Sequence, residues 1–206
     1  MVSFITHIHT KLHRRFALTR RVEVLARELS AMLPDNVSVL DVGCGSGEIS
    51  REIIRRRSNV TLDGIDLVIR PDCAIPVKPY DGQTFPVADK SYDFVILVDV
   101  LHHTPDPMIL LREAERVARR GIIVKDHNCN SQVRRLIMTI TDTLGNWQYK
   151  VPLLFNFWPT RRWQEAWSEL GLVQEAYISD FGLYPPIRGC IFARDMDFIA
   201  RLRPAA

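Results

Sequence analysis

The chain has 206 residues, with 27 Lys and Arg against 24 Asp and Glu and a formal net charge of +3. Its 47% apolar content is enough to bury one core, so a single domain is expected over residues 1–206. No stretch reaches the roughly 18 consecutive apolar residues of a membrane span, and the near-balanced charge excludes a nucleic-acid binder with a broad basic face.

Ile5, Ile8, Leu12 and Phe16 recur at helical spacing. Leu18, Val22, Leu25, Leu29 and Met32 continue the stripe to the stop at Pro34-Asp35-Asn36, predicting a helical N-terminal region over residues 1–36. Lys11, Arg14, Arg15, Arg20 and Arg21 make its start basic, with no acidic residue before Val22. Such a helix fits peripheral contact with an anionic membrane surface. It fits better a helix folded over the active site with its basic face in water. No apolar segment of a secretory signal is evident, and Cys44, Cys73, Cys129 and Cys190 show no C-x-x-C pairing, so reduced thiols and a cytoplasmic protein are expected.

From Val37 the pattern alternates strand and helix. Strands are predicted at Val37–Val42, Val60–Asp66, a weakly marked Ala74–Tyr80, Tyr92–Val98 and Gly121–Lys125. Helices are predicted at Glu48–Arg57 and Pro107–Arg119, and from beyond Asp126 through Leu144. A helix over Arg161–Leu170 and strands at Leu172–Ile178 and about Cys190–Ala200 complete the chain. Interleaving of this kind implies an α/β fold, a mostly parallel sheet with helices on both faces.

The first predicted strand runs into Gly43-Cys44-Gly45-Ser46-Gly47. Closely spaced glycines there let the backbone approach a ligand, and the next helix presents its N-terminal amides at the same point. Asp66 closes the second strand about twenty residues on, where a carboxylate can accept hydrogen bonds from ribose hydroxyls. A dinucleotide fingerprint is G-x-G-x-x-G. Here the spacing is G-x-G-x-G and Glu48 stands in the third glycine's place, which argues against a nicotinamide-dependent oxidoreductase.

Leu40–Gly47 resembles the first motif of class I S-adenosylmethionine (SAM)-dependent methyltransferases, and Gly64-Ile65-Asp66 resembles their ribose-binding motif. Asp81-Gly82, Phe85-Pro86, Asp89 and Ser91-Tyr92-Asp93 are similar to the segment leading into the fourth strand. Asp99–His103 resembles the motif that ends it. The order is that of the methyltransferase type 11 group, which includes quinone-biosynthesis enzymes. The resemblance implies a Rossmann-like seven-stranded sheet with its last strand antiparallel. It further implies SAM as cofactor, S-adenosylhomocysteine as product, and a small-molecule or lipid-like acceptor. Asp41, Gly43, Cys44, Gly45 and Gly47 would border the methionine part of SAM. Asp66 and Leu67 would border the ribose, Asp81 and Gly82 the adenine, and Asp99 the transferable methyl. Residues 37–125 then form the SAM-binding core, and residues 126–206 the acceptor-side lid and last strands. Asp93 reads as a structural cap.

Methyl transfer is an in-line displacement governed by positioning, with a base needed where the acceptor must lose a proton. His103 and His127 are the residues expected to supply it. The spacing of His102, His103, His127 and Cys129 matches no zinc pattern, so no metal site is expected. Trp147, Tyr149, Asn156 and Trp158, in an aromatic-rich segment over Leu144–Trp158, are expected to line the acceptor pocket. A non-catalytic SAM-binding module stands as a further reading. The acceptor, the atom methylated and the oligomeric state are not written in the sequence.

Overall fold

A computed structural model describes residues 18–146, 153–183 and 195–205. Helix α1 is seen over residues 18–32 and buries Leu25, Ala26 and Leu29 completely, the face that the apolar stripe marks. It is followed by β1 (Val37–Val42), α2 (Glu48–Arg56), β2 (Val60–Asp66), β3 (Val77–Pro79) and β4 (Tyr92–Val98). A 3₁₀ turn (Leu101–His103) leads to α3 (Pro107–Val117), β5 (Ala118–His127), α4 (Gln132–Asn146) and α5 (Thr160–Glu169). The chain ends on β6 (Leu172–Ile178) and β7 (Asp197–Pro204).

The seven strands lie in the order β3-β2-β1-β4-β5-β7-β6. Pairings from β3 across to β5 are parallel, while β7 is inserted antiparallel between β5 and β6. This is the Rossmann-like sheet that the sequence implies. Two cores cover its faces. One joins Leu40, Val42, Val95 and Leu97 to α3 and to Trp163 and Trp167 of α5; the other joins Val39, Phe94 and Ile96 to Leu25 and Leu29 of α1 and Ile53 of α2.

Local chemistry sets the element ends. Asp106 accepts the amide of Met108 at 2.9 Å and Pro107 opens α3, a capped start with no amide wasted. Asp93 accepts the Ser38 amide at 2.9 Å and its hydroxyl at 3.0 Å, joining the starts of β4 and β1, in keeping with a structural role. β3 is shorter than Ala74–Tyr80 because Pro76 and Pro79 lack amide donors, and it lies at the sheet edge where such residues are tolerated. Other boundaries differ from expectation as well. α3 stops at Val117, and Ala118–Arg120 join β5 instead of the helix. The last strand is described over Asp197–Pro204, where its register is set by pairing with β5 and β6, and runs past the expected end at Ala200; residues 190–194 of the expected strand lie outside the described residues. Among the described residues no helix is long and apolar enough to cross a membrane.

Candidate active site

All the parallel strands point their carboxyl ends to one edge. At the end of β1 the chain turns through Gly43, Gly45 and Gly47, all in the left-handed region at φ 67°, 61° and 72°. A Cβ on Gly43 would lie 2.6 Å from Val100 Cγ2, and one on Gly47 2.6 Å from Ile75 Cγ1, so both positions demand glycine twice over. At Gly45 the nearest atom is the flexible guanidinium of Arg70 at 3.4 Å. This turn is therefore a backbone cradle that only glycine allows.

Asp66, at the end of β2, fixes that cradle. Its Oδ2 accepts the Gly45 amide at 2.7 Å and its Oδ1 the Val68 amide at 3.0 Å. Each oxygen keeps a second lone pair. Leu67 is exposed and lies against Gly82, where a Cβ would come within 3.1 Å of its Cδ2. Asp81 is held in its turn by the amides of Gln83 (2.8 Å) and Thr84 (2.7 Å), which pull its carboxyl below the usual range. Asp41 is buried beneath the turn and accepts the Ser50 hydroxyl at 2.5 Å. Burial drives its pKa up to about 7 against that hydrogen bond, with help from the Asp66 charge. Cys44 sits against Gly64, where burial raises its thiol pKa.

The second half of the site gathers at the ends of β4 and β5. Asp99 leaves β4 in the left-handed conformation (φ 55°), which turns the chain into the 3₁₀ segment carrying His102 and His103. Its Oδ1 accepts the buried Lys125 ammonium at 2.5 Å and its Oδ2 the Arg21 guanidinium at 2.5 Å. Burial opposes the Asp99 charge, but Lys125 and Arg21 outweigh it and hold the carboxyl well below the usual range. Lys125 also reaches Asp197 at 2.6 Å. His127 places Nδ1 3.0 Å from Asp197 and Nε2 3.5 Å from Asp99.

His102 is fully buried, its Nδ1 2.7 Å from Asp126 Oδ1. Burial disfavours its charge, yet Asp126 and then Asp142 raise its pKa to about 10. His103 goes the other way: burial and the charge on His102 lower its pKa. Asp142, on α4, lies 3.7 Å from the Nε2 atoms of both. Phe157 stacks on His102 at 5.2 Å and meets His127 edge-on at 5.8 Å.

The fold thus brings together both expected histidines and Asp99. Asn156 fastens the following segment to the 3₁₀ turn, its amide on His102 O (3.0 Å) and its Nδ2 on the carbonyls of Thr104 and Pro105. Trp158 is 8% exposed, packs against Trp163 at 4.8 Å under the Arg162 guanidinium and joins the core cluster beside α3 and α5. Trp147 and Tyr149 lie outside the described residues. Sequence reasoning missed Lys125, Asp142, Asp197 and Arg21 as neighbours of the histidines. Only Lys125, a charge inside an apolar strand run, carried a signal that could have found it.

The profile of the methyltransferase domain family matches residues 12–176. The chain belongs to that family. Membership implies SAM as the cofactor, and the glycine turn and the Asp66 carboxylate beside it fit it. Over 118 residues the chain is 26% identical to a ubiquinone biosynthesis O-methyltransferase of Hydrogenovibrio crunogenus, covering 52% of this chain and 48% of that protein. Over 112 residues it is 30% identical to the 27-O-demethylrifamycin SV methyltransferase of Amycolatopsis mediterranei, covering 47% and 41%. The chain therefore spans about half the length of the curated relatives it matches. A SAM-dependent methyltransferase structure from Methanosarcina mazei shares the fold with a TM-score of 0.59 at 15% identity, covering 84% of this chain and 94% of that one.

Proposed function

We propose that the protein transfers the methyl group of SAM to a hydroxyl oxygen of a small or lipid-like acceptor. One observation carries the reading: the cradle after β1, the carboxylate after β2 and the His/Asp cluster after β4 and β5 share one sheet edge. The two relatives are named for O-methylation, which supports an oxygen acceptor. SAM, when bound, supplies an electrophilic methyl. On the protein's side, Gly43, Cys44, Gly45 and Gly47 accommodate the methionine part, Asp66 and Leu67 the ribose, and Asp81 and Gly82 the adenine. Asp41 supports the turn from below, and Asp99 orders the wall nearest the methyl.

His127 is the residue we assign to take the acceptor's proton. Asp197 beside Nδ1 favours the tautomer with the lone pair on Nε2. His103 flanks the same space, and Asn156 holds the roof through the 3₁₀ turn. The whole chain acts as one domain in this reading, with residues 1–36 as a helical cover, 37–125 as the SAM-binding core and 126–206 as the acceptor side. Cytoplasmic placement and freedom from nucleic acid belong to the same proposal.

Purified protein is to be incubated with radiolabelled SAM and panels of phenols, catechols, hydroxylated lipids, sugars and amines. Label is expected on a hydroxylated acceptor. SAM binding with no label on any class would leave a non-catalytic module, and calorimetric heat from NAD instead of SAM would indicate an oxidoreductase.

A further inference from the structure

The spacing of the histidines along the chain matches no zinc pattern, but the fold adds a ligand from another element. We propose that His102, His103 and Asp142 hold a divalent transition-metal ion of the zinc class. One ligand atom each from His102, His103 and Asp142 lies within 4.8 Å of the others, and the Nε2 of each imidazole is 3.7 Å from Asp142 Oδ1. That separation is too long for hydrogen bonds. It is close to the roughly 3.4–3.6 Å between two ligands bound about 2.1 Å from one ion at tetrahedral to trigonal angles.

The surroundings favour the same atoms. His102 Nδ1 faces Asp126, the carboxylate–histidine arrangement that orients an imidazole for a metal on its other nitrogen. That other nitrogen is buried, in a side chain 1% exposed, with no partner at hydrogen-bond distance; an ion binds there by displacing the proton that Asp126 and Asp142 favour. A second triangle, Asp99, His102 and His127, is equally compact. It is disfavoured because Asp99 is already neutralised by Lys125 and Arg21, whose positive charges repel a cation. Two imidazoles and one carboxylate suit zinc, cobalt or manganese better than magnesium or calcium. Three protein ligands leave a coordination position open. His103 and Asp142, 12% and 10% exposed, form the accessible side.

An acceptor hydroxyl bound at the open position would have its O–H bond weakened, with the proton passing to His127 Nε2 and the oxygen left as nucleophile. This use of the ion rests on the methyl-transfer reading; the site itself does not.

The full chain, stripped with a chelator, is to be titrated with Zn²⁺ by calorimetry and with Co²⁺ by visible absorption, in the absence of SAM and acceptor. One ion per chain is expected, at micromolar affinity or tighter, with Co²⁺ bands of four- or five-coordinate intensity. Asp142→Asn should weaken binding at least tenfold, and His103→Ala, at a more accessible position, gives the same readout should the first variant fold poorly. Thermal melting and S-adenosylhomocysteine binding report the fold of each. His127→Ala should keep the ion. No binding by the parent protein, unchanged affinity in folded Asp142→Asn and His103→Ala, or loss in His127→Ala alone would overturn the site. A failed methyl-transfer assay would bear only on the function proposed above.

Discussion

Asp66 spends one lone pair of each carboxylate oxygen on the amides of Gly45 and Val68 and keeps the other two for a ligand. Hydrogen bonds to a charged group contribute about 1.5–3 kcal/mol each. Asp66→Ala is therefore expected to weaken SAM at least tenfold, read by calorimetry on a protein whose melting curve remains cooperative. Unchanged affinity would put the ribose elsewhere. Asp41 offers a test by pH. Its pKa is raised from the usual 3.8 to about 7, so between these values the unfolded chain has released a proton that the folded chain retains. Stability thus falls as pH rises from about 4 to about 7 through this group. Asp41→Asn, which can still accept the Ser50 hydroxyl, should flatten that part of the stability profile in melts at pH 5 and 8. An equal slope in parent and variant would mean that Asp41 is ionised in the fold. At the proposed base, His127→Ala should lower turnover at least tenfold with SAM affinity unchanged, since the loss falls on the transition state. Full turnover would move the proton elsewhere.

Helix α1 shows how one element serves both stability and the site. Leu29 is completely buried on the sheet face that also holds Phe94 and Ile96, while Arg21, on the same helix, reaches Asp99 at the end of β4. Packing fixes the helix, and the fixed helix delivers a charge to the strand end. Leu29→Ala should cost about 2–5 kcal/mol, measured by denaturant unfolding. A change below 1 kcal/mol would show that α1 is not part of the cooperative unit. The apolar stripe from Leu18 to Met32 made this helix legible, and β1, β2 and β4 fall at the limits expected for them. The 3₁₀ segment was not legible, because its direction depends on the left-handed Asp99, a conformation that an Asp tolerates but does not announce.

Across the whole molecule the antiparallel β7 closes the sheet against β5, and the closest approach is at Gly121. A Cβ there would lie 2.3 Å from the backbone oxygen of Leu202, an atom that cannot swing aside. Gly121→Ala should therefore force the two strands apart at a cost of about 1–3 kcal/mol. For a chain of this size that is a drop of about 2–12 °C in melting temperature. An unchanged melting point would mean that the β5–β7 pairing differs from the one described.

The sequence by itself determined the interleaving of strands and helices that makes a mostly parallel sheet, the glycine turn and the acid after β2. Each is written over a short stretch of chain, where hydrophobic period, glycine spacing and one strand end suffice. Residues further apart were decided only by the tertiary structure. Lys125, Asp197, Asp142 and Arg21 come from four elements and meet at two strand ends. Their meeting depends on the insertion of β7 beside β5 and the docking of α1 and α4, which no local pattern encodes. Trp158 makes the same point: aromatic content alone suits a pocket wall or a core, and burial against Trp163 assigns it to the core.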